Sequence, residues 1–359
     1  MDSVRELIRG AVETGVFPGG VLLVAQGDDI MFFESFGLAR IDPQRPMTPE
    51  TVFDLASLTK PLATTLAVMV LIQEGRLNLD QTVGRVIPVF SGTDKASITI
   101  RQLLSHTAGL PDYRPYYKEL ATRSLAERKA LLRTRLSNEK LVNPPGKAAV
   151  YSDVGFMILE WLIEVVTRRT LNHFVEESVY GPLGIENLFF IPVDSDSGKR
   201  ARQYAATEQC PWRGKVLNGE VHDDNAYVLG GVAGHAGLFG SAQDVYRLLK
   251  ELLNVYSGEP NSGLFRKDVI RSFFQRQSDG GSWALGFDTP TRPDSSSGKH
   301  FSDQSIGHLG FTGTSFWVDL IRRVIVVLLT NRVHPSRKNE KIKAFRPVLH
   351  DRIMEAIID

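Results

Sequence analysis

The sequence predicts an α/β (α+β) fold: an antiparallel sheet flanked by N- and C-terminal helices, with a mostly helical lobe inserted between its strands. Three observations point there. Strand-like runs gather at two distant places, "GGVLLVAQGDDIMFFESFGLA" from residue 19 and "TSFWVDLIRRVIVVLLTNR" from residue 314. Between them, from about Leu77 to Phe274, apolar residues recur at three- and four-residue spacing, the period of amphipathic helices. Helical patterns also close both ends of the chain. Strands seldom stay unpaired, so the early and late runs are expected to join one sheet with the terminal helices packed on it. This places the sheet domain at 1–75 plus 280–359 and the helical insert at 76–279.

Each element has a local reason. "MDSVRELIRGAVETGVFPGG" is an amphipathic helix with a Gly/Pro stop. The first two strands turn at Gly27-Asp28-Asp29. "FDLASLTKPLATTLAVMVLIQEG", residues 53–75, predicts a core helix beginning near Ser57. "LAERKALLRTRL", "VGFMILEWLIEVVTRR" and "DVYRLLKELLNVY" carry the helical period, and Ser241 with Asp244 forms a capping box ahead of the last. The late strands turn at Leu320 to Arg322, and "KIKAFRPVLHDRIMEAII" is a closing helix. "DSDSGK" and "DSSSGK" are short polar loops, and the chain has no internal repeat.

Composition narrows the function classes. A length of 359 residues allows one large domain or two lobes. Hydrophobic content of 42% and charged content of 23% are those of an ordinary globular protein. A formal net charge of +1 offers no electrostatic attraction to nucleic acid or an anionic membrane surface. One cysteine, Cys210, can form neither an intramolecular disulfide nor a thiolate cluster. No basic n-region with an apolar h-region opens the chain, and no uninterrupted apolar run reaches bilayer length. The expected setting is cytoplasmic, or periplasmic if a signal segment has been removed. The expected partner is a small molecule or short peptide; oligomeric state is not readable.

Ser57 and Lys60 are the first candidates for chemistry. Ser-x-x-Lys recurs at Ser137/Lys140 and Ser296/Lys299, but those copies lie in charged or loop sequence. Only Ser57 opens a long apolar helical run. Residues three apart share a helix face, so the ammonium can reach the hydroxyl. A serine needs a neighbouring base to become a nucleophile, and burial lowers a lysine pKa toward that task. A plain alternative stands beside this: Ser57 as an N-cap and Lys60 snorkelling to solvent.

Two further motifs matter. "PPGKAAVYSDVGFMILEWL" sets Tyr151 just before a helix, and "SIGHLGFTGTSFWVD" sets His308 and several glycines just before a strand. In order and spacing the three motifs resemble the penicillin-recognising serine hydrolases, above all the class C β-lactamase-like group with its family VIII carboxylesterases, D-aminopeptidases and D,D-peptidases. "IRQLLSHTAGLPDY" and "GGVAGHAGLFGSAQDV" extend the resemblance over nearly the whole chain. It implies a β-lactamase/transpeptidase-like fold and acyl transfer without a cofactor. Ser57 would be the acylated nucleophile, Lys60 its base partner, and Tyr151 a sharer of the proton transfers. His308-Leu309-Gly310 would stand at the Lys-Thr-Gly position, with His308 counted among the catalytic residues. The backbone N–H groups of Ser57 and Phe311 would form the oxyanion hole. Gly310 would leave room for the substrate carbonyl.

Departures from that pattern shape the expected substrate. Asp153 stands where most relatives have asparagine, and a carboxylate can only accept hydrogen bonds. Either Asp153 or Ser152 caps the following helix, or Asp153 pairs with Lys60, raises its pKa and shifts the base role toward Tyr151. His308 and Leu309 lack the constant charge and the hydroxyl that hold a β-lactam or D-Ala carboxylate. Carboxylic esters or D-amino-acid-containing amides and peptides are therefore the expected substrates. Weak β-lactamase or D,D-carboxypeptidase activity is one alternative, and a catalytically idle sensor or binding protein is another.

Other residues carry less. His222, Asp223, Asp224 and His235 match no standard metal spacing, so no metal is expected. Tyr227 and His235 lie on a segment that the resemblance places beside the substrate cleft; plain loop packing explains them equally well. His106 is read as a turn-stabilising side chain. No Gly-x-Ser-x-Gly elbow, dinucleotide fingerprint or P-loop is present.

Overall fold

The computed structural model describes residues 1–193, 202–277 and 281–358. The "DSDSGK" loop lies outside the described residues. Strands β1 (Gly19–Gln26), β2 (Asp29–Arg40) and β3 (Arg45–Pro46) come early in the chain. Short pairs and triplets follow at β4 (Phe53–Asp54), β5 (Leu188–Phe190), β6 (Gln209–Cys210), β7 (Lys215–Val216) and β8 (Leu238–Gly240). The late strands are β9 (Ser305–Leu309), β10 (Ser315–Asp319) and β11 (Val324–Thr330).

Early and late strands do share one sheet, ordered β3-β2-β1-β11-β10-β9, with every neighbouring pair antiparallel. β1 and β11 read as unbroken apolar runs because the sheet is covered on both faces. Successive side chains alternate between two cores. Leu22, Val24, Trp317, Val326 and Leu328 pack under the terminal helices Asp2–Glu13 and Ile342–Ile358, against Val4, Ile8, Phe345, Leu349 and Ile353. Val21, Leu23, Phe316, Val327 and Leu329 face a larger core that holds the helices Leu66–Gln73, Asp153–Thr167 and Ala242–Ser257.

The turns follow their sequence chemistry. Gly27 takes φ +60° in the first hairpin. Asp319 Oδ1 accepts from the N–H groups of Ile321 and Arg322 at 3.0 and 2.9 Å, an Asx-type closure of the last one. The capping box at Ser241 is only half formed. Ser241 Oγ accepts from Asp244 N–H at 3.2 Å, but the Asp244 carboxylate turns away to accept from Asn187 N–H at 2.7 Å. The helical stretch Ala56–Gln73 is long and apolar enough to cross a membrane by length and composition alone, unlike the expectation above, and 83% of it is buried inside the fold.

Gly307 on edge strand β9 pairs with Trp317, whose indole would lie 2.4 Å from a Cβ at that position. That ring, fully buried, joins sheet to terminal helices. Trp317→Ala should therefore cost about 3–5 kcal/mol, read as a lower urea midpoint. Ile321→Ala, in the exposed turn beside it, should cost within about 0.5 kcal/mol.

Candidate active site

β4 delivers the chain to Ser57. Its Asp54 is buried and holds two main-chain donors: Ala56 N–H on Oδ1 at 2.9 Å and His222 N–H on Oδ2 at 2.6 Å. Burial pushes the Asp54 pKa up against those two bonds. Ala56 is thereby held at φ +48°, an uncommon conformation for a residue with a Cβ. Ser57 follows in a 3₁₀ turn, Ala56–Leu58, and a π-type turn, Lys60–Thr65, leads into the α-helix Leu66–Gln73. The expected helix is present, but its first two turns are not α-helical; wide turns of this kind recur at functional sites.

Lys60 does not snorkel. It is 0% exposed, and three acceptors surround its ammonium: Ser57 Oγ at 3.2 Å, the His235 carbonyl at 3.0 Å and Asp153 Oδ1 at 2.6 Å. Two of these are hydrogen bonds and the third is an ion pair that supplies the counter-charge. Burial pulls the Lys60 pKa down, but Asp153 and Tyr151 outweigh it and the net direction is up. The expectation of a desolvated, neutral lysine is thus corrected: the carboxylate at 153 keeps the amine charged.

The two readings of "SD" before the long helix both hold. Ser152 is the N-cap, accepting from Gly155 N–H at 3.1 Å. Asp153 is freed to meet Lys60. Ser152 N–H donates to His106 Nδ1 at 3.0 Å, so His106, at φ +59°, fastens the Tyr151 segment as a structural residue. The Tyr151 ring lies between His106, Trp283 and His308, with centroids 4.7, 5.4 and 6.0 Å away. Lys60 Nζ lies 4.8 Å from its ring centroid, and Lys60 and Ser57 both favour the ionised form of its phenol. Burial raises its pKa, and Lys60 reverses that only in part.

The loop after β9 is tied to the Ser57 turn. Thr312 Oγ1 donates to the Asp54 carbonyl at 2.7 Å and Thr314 Oγ1 to the Leu55 carbonyl at 3.0 Å. Neither Ser57 N–H nor Phe311 N–H donates to an acceptor among the described residues. Gly310 is required by this packing, whatever it also does for a substrate. A Cβ there would meet Thr314 Oγ1 at 1.9 Å and the Leu55 carbonyl at 2.7 Å.

His308 is 2% exposed and neutral, since burial, with the Lys60 charge added, pushes its pKa down to about 3. Its Nδ1 contacts the Leu309 carbonyl at 3.0 Å, and its Nε2 has no partner among the described residues. Two cavities flank Ser57. One, of about 370 Å³, is lined by Tyr113, Asp153, Asp223, His235 and Arg337. The other, of about 390 Å³, is lined by Trp283, His308, Leu309, Gly310, Arg332 and Arg346. Phe311 and Tyr151 border both. A third cavity of about 460 Å³, beside Tyr256 and Arg271, contains none of the candidate residues.

His235 reaches the first cavity backed by Asp223, Nε2 to Oδ1 at 3.0 Å. Burial lowers the His235 pKa, but Asp223 more than offsets it and the direction is up. Tyr227 lines neither cavity; its ring carries the Arg213 guanidinium at 3.9 Å. His222 bonds Glu208 at 3.2 Å, and Asp224 takes Arg213 and Trp212 Nε1, each at 2.9 Å. These residues are occupied by one another rather than aimed at a common point. Sequence reading missed Tyr113, Trp283, Arg332 and Arg346, which carry no motif and enter the site from separate segments.

Comparison with known proteins defines the class. The model of the Beta-lactamase family matches residues 4–347, and the chain belongs to that family. It is 32% identical over 367 residues to a protein of Escherichia coli (strain K12) named "Putative D-alanyl-D-alanine carboxypeptidase", covering 93% of this chain and 82% of that one. Among solved structures, SurE with D-Leu is 25% identical with a TM-score of 0.74, covering 99% of this chain and 75% of that one. EstCE1, described as a hydrolase with promiscuous acyltransferase activity, shares the fold at 24% identity and a TM-score of 0.72, covering 96% and 98%.

Gly310→Ala tests the packing of the Phe311 loop. It should cost about 1–3 kcal/mol by overpacking, seen as a lower melting temperature. A melting temperature equal to that of the parent protein would show that the loop is not tied to the Ser57 turn as described.

Proposed function

We propose that the protein is a serine hydrolase that forms a covalent acyl-enzyme at Ser57 on carboxylic esters or D-amino-acid-containing amides and peptides. The observation that carries this reading is the hydroxyl of Ser57, set between a charged, fully buried Lys60 and the phenol of Tyr151. Lys60 donates to Ser57 Oγ, so the serine proton is left to point at the Tyr151 oxygen. In the reactive form Tyr151 is a phenolate. As Oγ attacks the substrate carbonyl, the serine proton passes to the phenolate oxygen, and the resulting phenol returns that proton to the leaving oxygen or nitrogen. Lys60 keeps its proton and stabilises both oxygens electrostatically. The unpartnered N–H groups of Ser57 and Phe311 receive the developing oxyanion, each worth about 2.7–4 kcal/mol if fully engaged. Water then attacks the ester of Ser57, and the same groups act in reverse order.

A fluorophosphonate probe should add one label, detected by intact mass, and Ser57→Ala should abolish it. Undiminished labelling of Ser57→Ala would refute the assignment. If the protein took no label and turned over neither nitrophenyl esters nor D-aminoacyl nitroanilides, the sensor alternative would replace it.

The pH dependence has a definite sign. A phenol with a raised pKa is mostly protonated at neutral pH, and its basic form grows tenfold per pH unit below that pKa. The kcat/KM for a nitrophenyl ester should therefore climb with pH from neutral to about 9, with no plateau. A neutral, pKa-lowered lysine would instead give a plateau by about pH 8. Asp153 raises both Lys60 and Tyr151. Asp153→Asn should thus move the rising limb to lower pH by about one unit or more. An unmoved limb would remove Asp153 from the proton balance.

A further inference from the structure

The cavity of about 390 Å³ beside Ser57 holds two buried guanidinium groups that pair with no carboxylate among the described residues. Arg332 is 6% exposed and Arg346 is 5% exposed, and both line the cavity. Every acceptor they use is a main-chain carbonyl. Arg332 Nε donates to Phe311 at 2.8 Å, and its Nη1 to Arg337 and Asn339 at 3.1 and 2.7 Å. Arg346 Nη2 donates to Thr314 at 2.8 Å and to Gly310 at 3.4 Å, while its Nε has no partner among the described residues. Burial pushes Arg346 down to about 9, which still leaves it charged at neutral pH.

Other charges facing this cavity do not cancel the pair. Lys343 adds a third cation at the rim. Its partner Glu340, 2.8 Å away, is exposed and is the carboxylate whose field reaches Arg332. Asp288 lines the cavity, and with burial pushing its pKa up to about 6 it is still mostly ionised at neutral pH. Its carboxylate accepts from Thr289 N–H at 2.9 Å and feels Arg276, so it offsets one of the three cationic charges without pairing with either arginine. His308 is neutral. Two buried like charges without a counter-ion are costly, and a carboxylate entering the cavity would supply one while accepting charge-assisted hydrogen bonds.

We propose that this cavity is an anion subsite, in which Arg332 and Arg346 receive a carboxylate carried at one end of the ester or amide substrate. The sequence expectation that losing lysine and threonine at positions 308 and 309 removes the means of holding a carboxylate is thereby answered from a different part of the fold. The same two arginines grip the carbonyls of Gly310, Phe311 and Thr314, so an anion bound to them also bears on the loop that presents Phe311 N–H.

The proposal rests on the hydrolase reading for its substrate, but its test can be separated from it. Calorimetric titration of the full chain with 3-hydroxybenzoate and 3-hydroxybenzamide measures the anion preference without turnover. The carboxylate should bind about 10- to 100-fold tighter than the amide, as a charge-assisted bond allows, and Arg332→Gln or Arg346→Gln should erase the preference. Equal or absent binding of the two, or a preference that survives both folded variants, overturns the site. In kinetics, kcat/KM is compared within two matched pairs: 3-acetoxybenzoate against 3-acetoxybenzamide, and 4-nitrophenyl hydrogen glutarate against 4-nitrophenyl butyrate. The carboxylate member of at least one pair should be favoured about 10-fold or more, and that ratio should collapse in Arg332→Gln whatever happens to the two rates together. A ratio unchanged by the substitution assigns the arginines to loop support alone. If no ester reacts, the hydrolase reading fails, while the titration still decides the anion subsite.

Discussion

The buried ammonium of Lys60 is the constraint around which the site is organised. A cation with no exposure must find acceptors for all its protons, and here each comes from a different stretch of chain: Ser57, the carbonyl of His235 and the carboxylate of Asp153. Breaking a buried ion pair by removing one partner is typically worth about 3–5 kcal/mol. The requirement to satisfy the lysine therefore also pins the β8 approach, the start of the Asp153–Thr167 helix and the Ser57 turn to one another. The bonds that solvate the charge inside the protein are those that aim the serine hydroxyl. Folding and activation of the hydroxyl are in that sense a single problem.

A second set of ties closes the site from the sheet side. Thr312 and Thr314 bond the carbonyls of Asp54 and Leu55, Thr330 Oγ1 bonds the carbonyl of Gly313 at 2.9 Å, and two arginines hold the carbonyls between. This accounting leaves Phe311 N–H conspicuously free, beside a Ser57 N–H that is free as well. His106 Nε2, His235 Nδ1, His308 Nε2 and Arg346 Nε are all unpartnered and all lie around Ser57 or the cavities that flank it. Other unpartnered buried atoms, such as Arg133 Nε and His350 Nε2, lie elsewhere in the fold, so these four are a local group rather than the whole set.

Much of this was legible in the chain, for reasons that differ by element. The sheet was readable because β1 and β11 are buried on both faces and so stay apolar throughout, and because a hairpin needs only local turn chemistry. Ser57 and Lys60 were readable because three-residue spacing brings side chains together in a 3₁₀, α or wider turn alike. The choice between Ser152 as cap and Asp153 as ion-pair partner was posed as an alternative, but a hydroxyl and a carboxylate on adjacent residues can face different donors and do both. Gly310 has a packing reason that the sequence does not reveal, since a side chain there would meet Thr314, a residue four places on that folds back over it. Arg332 and Arg346 were invisible. They are distant in sequence from the carbonyls they hold, and nothing in a sequence marks an arginine as lacking a carboxylate.

The contrast between the two cavities follows from the same economy of charge. On the Asp153 side the ionised groups are matched: Lys60 with Asp153, His235 with Asp223, and Arg337 with Glu208 and Asp224. On the Arg346 side the histidine is neutral, the one lining carboxylate, Asp288, pairs with neither arginine, and among the described residues the guanidinium groups are bound only to carbonyl dipoles. A field therefore runs across Ser57 from an internally compensated pocket to an uncompensated positive one. Such a gradient acts on a substrate before any bond forms, because it gives an asymmetric molecule one favoured orientation at the hydroxyl. It also favours negative charge growing on the carbonyl oxygen near Phe311 N–H, whose own carbonyl is held by Arg332. The groups that would choose the substrate and those that would stabilise its transition state are thus mechanically one structure, so a change to the arginines must alter selectivity and oxyanion geometry together.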